Sequence, residues 1–157
     1  MPVPSALVTR YFQLVVNRQF AEAKRELERI KQKMHKTEWN RGYFRALYGM
    51  LLARRSNNND SSAFFSKLDL NDKAALHGYR REFLEHVKNR LHGDFDRGFF
   101  SALADCMRVL RRIDVAKVPN ADVSSVHSAD SAASETGKLE TLKNDESQAT
   151  IEDFLKE

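Results

Sequence analysis

The chain contains little cysteine, proline or glycine: one Cys, three Pro and six Gly in 157 residues. A lone thiol, Cys106, excludes an intramolecular disulfide framework and a cysteine-rich zinc site, and it fits a reducing cytosol. So few turn-forming residues argue against a sandwich or barrel and favour helices. Long apolar runs are missing too, and none approaches the roughly 18 residues of a membrane span. Met1–Thr9 lacks the basic, apolar, small-residue order of a secretory leader. These absences lead us to expect a cytoplasmic protein with no membrane partner.

Charge, by contrast, is plentiful and unevenly placed. Lys and Arg number 26 against 22 Asp and Glu, a formal net charge of +4. Residues 1–118 hold 23 basic and 13 acidic side chains, a net +10, whereas residues 119–157 hold 3 and 9, a net −6. A basic body with an acidic tail is a different object from a mildly basic globule. Composition also changes near Pro119. Asn120–Thr136 has no aromatic residue and no Leu, Ile or Met. Such a stretch buries too little apolar surface to offset the entropy of ordering, so 119–147 reads as a flexible acidic linker within a disordered tail.

The body, 1–118, reads as all-α. Apolar residues recur at steps of three and four. The spacing predicts a first helix over Ala6–Val16, capped by Ser5, and a second over Gln19–Lys36 with Phe20, Ala23, Leu27, Ile30 and Met34 on one face. A third spans Arg41–Arg55. The fourth, Lys73–Leu91, has Asn71 or Asp72 as its cap and aligns Leu76, Tyr79, Phe83, Val87 and Leu91. The fifth covers Phe95–Asp114. Ser56–Asp60 is a loop of turn-forming residues, followed by a short turn with Phe64, Phe65 and Leu68.

Two segments of this body repeat. Leu27-Glu-Arg-Ile-Lys-Gln-Lys-Met-His35 matches Leu84-Glu-His-Val-Lys-Asn-Arg-Leu-His92. After a one-residue deletion, Trp39-Asn-Arg-Gly-Tyr-Phe-Arg-Ala-Leu47 matches Phe95-Asp-Arg-Gly-Phe-Phe-Ser-Ala-Leu103. Each unit, about 19–56 and 73–114, is a helix, a short turn and a second helix, so a duplicated helical hairpin is expected. The result is a helical bundle or a two-repeat stack reminiscent of tetratricopeptide (TPR) arrays, though the unit exceeds their roughly 34 residues.

Catalytic signatures are absent. The chain has no Ser-His-Asp motif, no H-E-x-x-H, no Walker sequence and no magnesium-type carboxylate cluster. A non-enzyme with no cofactor, no metal and no small-molecule substrate is expected. The repeated His35 and His92 suit the negative end of a helix. The repeated Arg41-Gly42 and Arg97-Gly98 suit close helix approach, with each Arg covering an aromatic face or pairing with an acid. Trp39, Tyr43, Phe44, Phe95, Phe99 and Phe100 read as core before they read as base-stacking groups. Cys106 stands where the first repeat has Met50, as a small core residue.

The basic surface invites a polyanion. Candidate nucleic-acid-binding residues are Lys31, Lys33, Lys36, Arg54, Arg55, Arg80, Arg81, Lys88, Arg90, Arg108, Arg111 and Arg112. Each cation placed at a phosphate releases counterions and gives salt-sensitive, sequence-independent binding. The competing reading is a solvated surface, partly neutralised by i,i+4 pairing with Glu22, Glu26, Glu28, Glu82 and Glu85.

The C-terminus, 148–157, reads Gln148-Ala-Thr-Ile151-Glu-Asp-Phe154-Leu155-Lys-Glu157. Ile151, Phe154 and Leu155 stand at i, i+3 and i+4, so one helical turn puts all three on one face. Gln148 lies one turn earlier, where it can hydrogen-bond at a pocket edge. This pattern resembles the PIP-box, the short peptide by which replication and repair proteins bind the sliding clamp (PCNA). It is most similar to archaeal versions, which accept Leu in the last slot; many eukaryotic members place a second aromatic where Leu155 stands. The resemblance implies a clamp-binding accessory protein of DNA replication or repair, with Gln148, Ile151, Phe154 and Leu155 as its clamp-binding residues. An archaeal source would place it with the nucleoid.

The expected protein is therefore a basic helical domain that contacts DNA or another replication protein and is tethered to the clamp by its tail. Two alternatives are a helical-repeat adaptor without nucleic acid and an RNA- or ribosome-associated factor.

Overall fold

A computed structural model describes residues 3–56, 64 and 68–113. Among these residues the chain forms five α-helices and no strand: α1 (Ser5–Val16), α2 (Phe20–Lys33), α3 (Glu38–Arg55), α4 (Lys73–Lys88) and α5 (Asp94–Leu110). The all-α expectation holds. Phe65 and the residues beyond Ile113, with the acidic linker and the PIP-box-like segment, lie outside the described residues.

Local chemistry sets the helix ends. Ser5 is already helical rather than a cap; Pro4 takes the cap position without a side-chain bond. At the other end of α1, the Arg18 N–H donates to the Val15 carbonyl and the Gln19 N–H to the Leu14 carbonyl. This is a Schellman closure with Arg18, at φ 59°, in the left-handed position usually given to glycine. Thr37 caps α3 by accepting from the Asn40 N–H at 3.2 Å, so α3 starts three residues before the apolar pattern suggests. Asp72 caps α4 as expected, accepting from the Ala75 N–H at 2.9 Å.

Two expectations about α2 and α4 are corrected. Both helices end before the repeated histidines, at Lys33 and Lys88. Leu91 is 93% exposed instead of aligned with the apolar face. The Asn89 side chain accepts from the Leu91 N–H at 3.0 Å, an Asx-type turn that ends the helix and swings Leu91 outward.

α3 and α5 form the largest interface and run in the same direction. Their N-terminal ends meet, Gly42 against Phe95 and Gly98 against Trp39. Their C-terminal ends meet around one small apolar cavity lined by Met50, Arg54, Cys106 and Leu110. Gly42 corresponds to Gly98, Trp39 to Phe95 and Met50 to Cys106 in the repeat, so the two helices are related by a pseudo-twofold. A Cβ on either glycine would collide with the backbone carbonyl of its partner helix. The repeated glycine is therefore required by backbone approach. The repeated arginines pair with the acid one turn before: Arg41 with Glu38 at 2.7 Å, and Arg97 with Asp94 at 3.8 Å.

α4 packs antiparallel on α5, through Leu76 and a row of rings. Phe83 stacks on Phe100 at 6.3 Å, and His86 lies on the same ring at 4.4 Å. α1 packs on α2, α3 and α5. Its Tyr11 is fully buried and donates to the Leu47 carbonyl at 2.6 Å. Tyr11, Phe12, Leu27, Ile30, Phe44, Leu47, Leu76 and Met107 are the largest fully buried side chains. Each contributes roughly 1.5–3 kcal/mol by leaving water.

Candidate nucleic-acid interface

Parallel packing of α3 and α5 gathers both C-termini, and their basic residues, at one end of the bundle. Arg54 and Arg55 fill the last turn of α3, and Arg108 the last turn of α5. Arg111 and Arg112 follow in the turn that closes α5. Part of this charge complements two negative helix ends brought side by side.

Four of the basic residues do more. Arg80 of α4 joins Arg108, Arg111 and Arg112 around one concavity of about 300 Å³. Four guanidiniums facing one space repel one another, and Asp105 offsets part of that repulsion at Arg108. Asp105 is placed between Tyr43 and Arg108: Tyr43 Oη donates to its Oδ2 at 2.9 Å, and Arg108 Nη2 lies 3.2 Å from its Oδ1. Burial, and then the charge of Asp105, push the Tyr43 hydroxyl well above its ordinary value, so it remains a donor. Lys73, the first residue of α4, donates to the Leu110 and Ile113 carbonyls at 3.0 and 2.9 Å. It covers the negative end of α5 beneath the arginines.

The repeat separates scaffold from site. Glycine, aromatic and Arg–acid positions recur in both units. In the repeat alignment, Arg80, Arg108, Arg112 and Asp105 correspond to Ala23, Leu52, Ser56 and Gly49 of the first unit. Only Arg111 has a basic counterpart, Arg55. Ala23 is fully buried. The basin is thus built from positions where the second hairpin departs from the first.

The other candidates lie elsewhere. Arg54 and Arg55 group with Arg18 and Lys24. Burial, then the charge of Arg18, lowers the Arg54 pKa; burial, then the charge of Arg55, lowers that of Lys24, against Glu28. Arg81 is exposed beside Arg80 but does not line the basin. Lys31 and Lys33 occupy the last turn of α2. Lys88 lies 3.9 Å from Glu85. Glu26, expected in solvent, is 3% exposed and lies 3.3 Å from Arg29. Five of the Arg and Lys pairs with acids are spaced i,i+3, and the charge of Glu28 acts on Lys24 at the expected i,i+4 spacing.

Neither repeated histidine caps a helix with its ring. His35 is exposed, and its backbone carbonyl accepts from Asn40 Nδ2 at 2.8 Å. The His92 ring meets His86 at 3.2 Å between ring nitrogens and lies 3.7 Å from Asp96. Among the described residues no three His, Cys, Asp or Glu side chains converge as a metal cage. Cys106 is buried, and burial followed by the charge of Asp105 holds its thiol well above the ordinary range. No described helix is long and apolar enough to cross a membrane. Gln148, Ile151, Phe154 and Leu155 lie outside the described residues.

No protein-family model, curated protein or solved structure matches this chain.

The sequence pointed to all four basin arginines and to Tyr43 as a core ring, but not to Lys73 or Asp105, nor to the role of Tyr43 beside Arg108. These act across 37 to 62 residues of chain. No local pattern marks such a pair.

Proposed function

We propose that this chain is a nucleic-acid-binding accessory protein of DNA replication or repair. Its basic helical domain holds phosphate groups in the basin of Arg80, Arg108, Arg111 and Arg112, and its tail tethers it to the sliding clamp. The observation that carries this reading is the convergence of four arginines, from two helices and a turn, on one concavity. Guanidinium forks match phosphate oxygens in pairs, and such contacts carry no base information. The clamp partner rests on the likeness of Gln148, Ile151, Phe154 and Leu155 to the PIP-box. Tethering raises the local concentration of DNA threaded through the ring, so weak phosphate contacts suffice.

The test uses the full chain. Anisotropy of a labelled DNA duplex, titrated at several salt concentrations, gives the slope of log K against log salt. Replacing Arg111 and Arg112 with Ala should weaken binding and reduce the slope by about 0.9 for each phosphate that is no longer neutralised. Absence of binding at low salt overturns the nucleic-acid reading and leaves the adaptor. Calorimetry against the clamp, with Ile151, Phe154 and Leu155 changed together to Ala, tests the tether; unchanged affinity overturns it.

A further inference from the structure

The arginine basin is more specific than a basic surface. A protein that follows a nucleic-acid backbone spreads its cations along it, because charge recurs about every 3.4 Å of axis on each strand. Here Arg80, Arg108, Arg111 and Arg112 share a single space of about 300 Å³. The space is open to solvent and admits a whole phosphoryl group together with water. Asp105 offsets one charge through Arg108, which leaves about three. An internal phosphodiester brings one negative charge and two free oxygens. A phosphate monoester brings nearly two charges and three strong acceptor oxygens.

A further observation favours an anion there. The negative end of α5, which would repel an anion, is covered by Lys73 at the Leu110 and Ile113 carbonyls. Compensation of the helix end is therefore already supplied by another side chain, and the arginines are spared that task.

From this we propose that the basin binds the terminal phosphate monoester of a DNA strand. The proposal rests on the nucleic-acid reading above and narrows it from the backbone to the strand end. Arg80 and Arg108 hold the phosphoryl oxygens from the two helices, and Arg111 and Arg112 close over them from the turn. Tyr43 acts through Asp105 as a positioning residue for Arg108.

The experiment compares short strands of one sequence carrying a 5′-phosphate, a 3′-phosphate or hydroxyls at both ends, measured by anisotropy with the full chain. The expected result is about tenfold tighter binding of a phosphorylated strand than of the hydroxyl strand, the gain of one added charge held by guanidinium forks. Which phosphorylated strand shows the gain identifies the end that is recognised. The gain should disappear in Arg80→Gln and in Arg111→Gln while weaker binding of the hydroxyl strand persists. Inorganic phosphate should compete with the phosphorylated strand alone. Equal affinity for all three strands overturns the proposal but leaves backbone binding standing. Binding of none overturns both. Circular dichroism of the variants, whose changed side chains are half-buried or exposed, checks that the helices remain.

Discussion

Gly42→Ala should destabilise the protein although alanine is the better helix former. The methyl group enters the space of the Phe95 backbone, whose carbonyl carbon would stand 2.7 Å away. That is roughly 1 Å inside the optimum for carbon contacts. The obstacle is main chain within α5, so no side-chain rotation relieves it, and α3 and α5 must separate. Overpacking of this kind costs about 3 kcal/mol at its upper range. Improved helix propensity returns about 1 kcal/mol, for a net loss of about 2 kcal/mol. Gly49 in α3 and Gly78 in α4 are the internal controls, since a Cβ at either meets nothing within 4 Å. Gly49→Ala and Gly78→Ala should each raise stability by up to about 1 kcal/mol. Urea unfolding followed by helical circular dichroism reads the difference. The Gly42→Ala midpoint should fall by about 1 M, while the controls rise. Gly98→Ala should match Gly42→Ala, because it meets Trp39 in the same way. The double variant should cost less than the sum, since one separation of the helices relieves both collisions. A Gly42→Ala protein as stable as Gly49→Ala would refute the close crossing and the pseudo-twofold built on it.

Other consequences follow from individual side chains. Leu76→Ala, at the one buried residue of α4, should cost about 3 kcal/mol by chemical denaturation. Lys73→Met should cost about 1 kcal/mol, the exposed side of the ammonium being screened by water; it should also weaken DNA binding in the anisotropy assay by restoring the negative end of α5. Tyr43→Phe removes the donor that fixes Asp105 and should lower both stability, by about 1 kcal/mol, and DNA affinity. Stability should fall in alkali. The Tyr11, Tyr43 and Cys106 pKa values are all raised in the folded state, chiefly by burial. The native chain therefore keeps protons that the unfolded chain releases. This contribution is full below the unfolded values of about 8.5 and 10, starts to fall as pH rises past them, and is lost on the way to the raised folded values. Denaturation midpoints measured across about pH 8–11 should decline, and tyrosinate absorbance should lag until the protein unfolds.

Much of the fold was legible because helices obey local rules. Periodic apolar residues marked all five, and Asp72 announced the start of α4. Where reading failed, a side chain acted against its usual role. Thr37 capped α3 inside a stretch with no apolar pattern. Asn89 turned the chain and left Leu91 in water, although its spacing from Val87 suited the core. Glu26 was buried on a helix face that charge alone assigned to solvent. At the candidate site, the basic residues were visible one by one, but nothing local distinguished Arg80 from Arg81 or Arg111 from Lys31.

Sequence alone determined an all-α body, its two repeated segments and the separation of a basic body from an acidic tail. These depend on residue type and on spacing within a few turns. It also carried the terminal likeness to a clamp-binding peptide. Only the tertiary structure decided which helices run side by side in the same direction. The Gly42–Phe95 and Gly98–Trp39 crossings fix the register, and the meeting of Met50 and Arg54 with Cys106 and Leu110 at the far ends gives the shared direction. That register brings the ends of α3 and α5 together, with α4 against α5. It converts four arginines from two helices and a turn into one basin. A charge count adds residues wherever they lie, whereas binding depends on which of them face a common space.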